Sequence, residues 1–105
     1  MNTETFAQRV YQLAEPEVKT FDPFTLLAIV QAVMAVIKLL KSCGYMTTPD
    51  VMEAIKNPSW LMHFRLRREV SKHVKGKLAQ KVADVLPVAA SELTNAQVGA
   101  MYQGA

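Results

Sequence analysis

Residues 24–37 form a nearly unbroken apolar run of fourteen residues with Gln31 at its middle, and no other stretch limits the fold as strongly. Asp22-Pro23 stands just before it. The aspartate side chain accepts from free N–H groups at a helix N-cap, and proline suits the first helical position. Gly44 supplies the stop, because glycine reaches the left-handed conformation that ends helices. A helix over 23–42 follows, with Lys38 and Lys41 in its last turns, where the macrodipole favours positive charge. At about 100° per residue, Gln31, Lys38 and Lys41 fall on one narrow line with Leu27 and Met34 between them. Nearly all the remaining circumference is apolar, which predicts burial on most sides. The run is shorter than the roughly 20 apolar residues of a membrane span, which favours a central core helix over a spanning one.

Shorter helices flank this one. Phe6, Val10 and Leu13 recur at i, i+4, i+7 and predict an amphipathic helix over 3–14, ended by Pro16 and a linker. Thr48-Pro49-Asp50 opens a helix to about Lys56, with Val51, Met52 and Ile55 on its apolar side. Asn57-Pro58 repeats the cap-plus-proline signal and starts a third helix, which Gly76 ends or bends. Leu78, Val82 and Val85 continue helical spacing up to Pro87, read as a firm stop. Thr94-x-x-Gln97 fits a capping box and predicts a last helix near 95–102.

Composition narrows the class. One cysteine among 105 residues excludes a disulfide framework, and four glycines are too few for a phosphate-cradling loop. Residues 1–15 lack the basic start and apolar core of a secretory signal, so an intracellular (cytoplasmic) or virion setting is expected. Enzyme readings find no support, and no catalytic residue, metal site or cofactor is expected. His63 and His73 lie ten residues apart with no third ligand type nearby, and the acidic residues are scattered singly. Cys43, at a helix C-terminus, is expected to be buried and structural. The six methionines read as core filler.

The charge is uneven. Residues 1–50 carry four basic and five acidic side chains, net −1. Residues 51–105 carry eight and four, net +4, and all eight basic ones lie between Lys56 and Lys81 with only Glu69 opposing them. On a helix from Pro58, Arg65, Arg68, Lys72 and Lys75 line up at i, i+3, i+7, i+10 over roughly 15 Å. Trp60, Phe64 and Val74 lie on an adjacent apolar face, extended by Leu78 and Val82 if the helix passes Gly76. Arg67 interrupts that face and snorkels to its edge. Guanidinium and ammonium groups in a row displace counterions from nucleic acid, so Arg65, Arg67, Arg68, Lys72 and Lys75 are candidate contacts to nucleic acid or another acidic partner. Nothing in the row encodes a base sequence, so non-specific binding is expected. Charge runs are commonly just solvated faces. Here Glu69 alone could neutralise the row along its own helix, and the rest of the chain is nearly neutral.

An Asp-Pro-led apolar helix, then Asn57-Pro58-Ser59, then Arg65-Leu66-Arg67-Arg68 resembles small helical proteins encoded by bacteriophages, over about half the chain. The resemblance implies a virion or assembly component and no activity. The expected fold is all-α, about five helices in one domain, with the apolar helix 23–42 central and amphipathic helices packed around it. Its parts are an N-terminal helix and linker (1–20), the apolar helix (22–43), a basic helical region (48–86) and a C-terminal segment (88–105). Leu26, Leu27, Ile29, Val30, Val33, Met34, Val36, Ile37 and Leu40 are the expected core and self-association residues, making a homo-oligomer or larger assembly. The leading function is a non-enzymatic assembly protein. The alternatives are a membrane-associated protein inserting 24–40 and a DNA regulator using 49–56 and the following helix as a helix-turn-helix. The last is weakened by Pro58 in the turn and by basic residues spread far along the second helix.

Overall fold

The computed structural model describes residues 2–104. Among them run six helices and no strand: α1 Thr3–Ala14, α2 Pro23–Ser42, α3 Thr48–Lys56, α4 Trp60–Ser71, α5 Lys77–Ser91 and α6 Asn95–Gly104. Side-chain caps open five of them. Asn2 accepts from the Thr5 N–H, and Asp22 accepts from both the Thr25 N–H (2.9 Å) and its hydroxyl (2.6 Å). Thr47 caps α3 and Ser59 caps α4, so α4 begins two residues later than Asn57-Pro58 suggests. Before α6, the Thr94 N–H donates to Gln97 Oε1 and the Gln97 N–H to Thr94 Oγ1, which is the expected capping box.

One alternative about continuity is decided and one expectation reverses. Gly76 has φ +68° and ψ −147°, a region essentially reserved for glycine, so the chain turns there and α4 and α5 are separate. Pro87 lies inside α5 and does not end it. Its missing N–H removes one bond to the carbonyl four residues back. Leu86, Ala89, Ala90 and Leu93 are buried on both sides of the proline, and their packing holds the helical path through it.

α1 packs on α2 and α5, and so does α4; α3 packs on α5 and α6, and α6 also reaches α2. α2 contributes Ile29, Ala32, Val33, Val36, Ile37 and Leu40 to the core, and α5 contributes Ala79, Val82, Ala83, Leu86, Ala89 and Ala90. The void where side chains of these two helices meet measures about 10 Å³, the lower limit for one water. The molecule spans 35 × 27 × 19 Å. Arg9 of α1 clamps Glu92, just past α5, through two bonds of 2.8 and 2.9 Å. Lys41 sits 4.3 Å above the Tyr102 ring, and the Tyr102 hydroxyl donates to the Tyr45 carbonyl, so α6 is pinned to the end of α2.

α2 is not buried on most of its circumference. Phe24 is 82% exposed and Leu27 54%, while Gln31 and Lys38 face solvent. Of the nine expected self-association residues, Ile29, Val33, Val36, Ile37 and Leu40 are consumed by the chain's own core. Leu26, Val30 and Met34 are half-buried, and only Leu27 is exposed. At 20 residues, with a mean hydropathy of 2.1 over its most apolar 18-residue window and a third of that window buried, α2 is long and apolar enough to cross a membrane. The fourteen-residue run understates it, because Leu39 and Leu40 extend the apolar stretch beyond Lys38.

Candidate functional site

α4 has two apolar stripes, and only one can face the core. Met62, Leu66 and Val70, at i, i+4, i+8, are buried against α2 and α5. Burying each such side chain contributes about 1.5–3 kcal/mol, enough to fix the rotation of a twelve-residue helix. The other stripe then faces outward. Trp60 is 84% exposed and Phe64 54%, with ring centroids 6.4 Å apart and planes 20° from parallel. Leu61 lies beside them, also exposed.

The expected apolar face is therefore divided: Val74 is buried in the turn after α4, and the two rings are in solvent. A signal for this exists in the sequence. The Met62–Leu66–Val70 stripe carries no charge, whereas Arg67 falls on the angular line of Trp60 and Phe64. A stripe broken by arginine is the poorer core face.

The basic row is also divided. Arg65, Arg67 and Arg68 lie on α4 and are exposed. Lys72 is its C-cap, and Lys75 stands in the following turn. The structure thus brings the three arginines onto one helix with the aromatic pair, and it does not continue them into a straight ladder with Lys72 and Lys75. Lys72 pairs with Glu69 at 3.2 Å. Arg65 Nη1 donates to Cys43 Sγ at 3.7 Å. Among the described residues, Arg67, Arg68 and Lys75 form no ion pair, and the outward side of α4 carries no carboxylate: Glu69, its sole acid, is half-buried.

Cys43 is exposed, contrary to the expectation of burial. It is the C-cap of α2, its N–H bonded to the Leu39 and Leu40 carbonyls, and that position turns its side chain toward α4. His63 lies 3.8 Å from Asp84 of α5, beyond hydrogen-bond range. Among the described residues, no group of three or more His, Cys, Asp or Glu is placed to hold a metal ion.

Comparison with protein-family models, curated proteins and solved structures gives no match for this chain.

Proposed function

We propose that the protein is a non-enzymatic assembly component that self-associates through the outward side of α2 and contacts nucleic acid through α4, as a virion or assembly protein of a bacteriophage would. The observation that carries the nucleic-acid half is the exposure of Arg65, Arg67 and Arg68 on α4, with Arg67 and Arg68 in no ion pair among the described residues. Guanidinium groups in that state release counterions when they meet phosphates, so affinity falls steeply with salt. Arginine also matches phosphate oxygens through a planar fork that lysine lacks. Contacts of this kind position a protein without reading sequence. Several weak faces in one oligomer act together and raise the overall affinity.

The test is DNA binding across a salt series. Replacing Arg65, Arg67 and Arg68 by Gln removes three phosphate contacts, so the slope of log affinity against log salt falls by roughly 2–3 while the melting temperature stays put. A wild-type protein that binds no nucleic acid at low salt overturns this half of the reading.

A second reading rests on α2 itself. Its length and the mean hydropathy of 2.1 over its most apolar 18-residue window suit a bilayer. Insertion would require Ile29, Val33, Val36, Ile37 and Leu40 to leave the core they fill. The helix-turn-helix reading gains nothing from the geometry, because α3 lies on α5 and α6 while α4 lies on α2 and α5.

A further inference from the structure

A row of arginines explains attraction to phosphate. It does not explain why Trp60, Leu61 and Phe64 stand in water beside it. Exposing a tryptophan at 84% and a phenylalanine at 54% on one helix face is costly unless something covers them. Their placement relative to the arginines indicates what does. Seven residues separate Trp60 from Arg67, which puts them about 20° apart around α4 and about 10 Å apart along it. Four residues separate Phe64 from Arg68, about 40° and about 6 Å. Each ring therefore has a guanidinium further along nearly the same line, and Arg68 falls between Phe64 and Leu61 around the helix.

We infer that this face is a stacking platform for single-stranded nucleic acid, with bases on the Trp60 and Phe64 rings and the adjoining phosphates on Arg67 and Arg68. The inference rests on the nucleic-acid reading above and narrows it. A duplex presents only base edges in its grooves and gives an exposed ring nothing to stack on. A single strand presents base faces, and stacking on aromatic side chains tolerates any sequence. A bilayer fits less well: a helix lying in lipid keeps its charges at the rim of its apolar face, and here the arginines interrupt it.

Trp60 is the chain's only tryptophan, so its fluorescence reports on this face alone. The 105-residue chain is titrated with an oligothymidylate of about 15 nucleotides, with a duplex of equal length, and with vesicles of equal parts phosphatidylserine and phosphatidylcholine. The single strand quenches Trp60 emission without a blue shift and binds more tightly than the duplex. Phe64→Ala leaves the reporter in place and weakens single-strand binding roughly tenfold, with little effect on the duplex. Its melting curve matches wild type, because the Phe64 ring is largely outside the core. Equal, salt-sensitive binding of both DNAs with unmoved Trp60 emission overturns the stacking platform and leaves the phosphate reading standing. A blue shift with vesicles and no response to the oligonucleotide overturns it in favour of a lipid surface. No binding of either DNA at low salt removes both readings together.

Discussion

The Arg9 guanidinium meets Glu92 side-on, through Nε to one carboxylate oxygen and Nη2 to the other. Those hydrogen bonds hold the Glu92 carboxyl below its usual range, against an opposing effect of desolvation that exceeds the further lowering by the charge of Arg9. Asp22 is lowered in the same sense by hydrogen bonds from the Thr25 hydroxyl and N–H. Both groups thus bind protons less readily in the folded chain than in the unfolded one. Such groups stabilise the fold above their unfolded pKa, near 4, and that contribution disappears as pH falls through the folded value. The melting temperature should therefore be flat from neutral pH down to about pH 5 and fall below about pH 4. Glu92→Gln and Asp22→Asn retain shape and capping ability while removing the charge. The double variant should show a shallower acid limb in thermal melts from about pH 3 to about pH 7. An unchanged limb would mean that these carboxylates do not govern the acid response. Both sites are exposed, so the same contribution should shrink as salt rises.

Gly76 separates α4 from α5, and the space around it shows that backbone conformation alone requires glycine there. A Cβ added at Gly76 meets no atom within 4 Å, yet its φ of +68° is one that residues with a Cβ avoid. Gly76→Ala should lower stability by about 1–3 kcal/mol in urea unfolding, purely through strain. A neutral result would mean that the turn relaxes and α4 and α5 can join. This turn also marks where the sequence stops being readable. Caps and stripes are local, so α1, α2, α3 and the box before α6 follow from Phe6, Val10 and Leu13, from Asp22-Pro23, from Thr48-Pro49-Asp50 and from Thr94-x-x-Gln97 with little error. Whether Gly76 bends or breaks a helix depends on whether Val74 finds a place in the core, which is a tertiary matter. Pro87 misleads for the same reason: local chemistry says stop, and the burial of Leu86, Ala89 and Ala90 outweighs it. The basic character of α4 was legible from Arg65, Arg67 and Arg68. The exposure of Trp60 and Phe64 was legible only in part: the wheel offers two apolar stripes, Arg67 marks theirs as the poorer core face, and the packing of α2 and α5 selects the other.

For the whole molecule, the open question of shape is the outward side of α2. Leu27, Leu26, Val30 and Pro23 line a shallow groove of about 350 Å³ with Glu4 at its edge, and Phe24 borders another of about 460 Å³ with Ala28 and Leu78. An apolar side only partly packed against its own core can be covered by a second copy or by lipid, and the two differ in what the core must do. A second copy leaves Ile37 where it is. Insertion of α2 pulls Ile37 out. Leu27→Glu changes only the surface, where substitutions usually shift stability by no more than about 0.5 kcal/mol. Ile37→Glu buries an unpaired charge at a cost of several kcal/mol, a large part of the about 5–15 kcal/mol that a domain has. If copies cover the groove, sedimentation equilibrium without detergent should give a mass that rises with concentration. Leu27→Glu should return it to the monomer of 11.7 kDa with an unchanged melting temperature, and Ile37→Glu should unfold the chain. If α2 instead belongs in lipid, the wild type should stay monomeric and float with vesicles, and Ile37→Glu should abolish flotation as surely as Leu27→Glu. A monomer that neither associates nor floats would show that this side of α2 serves neither purpose.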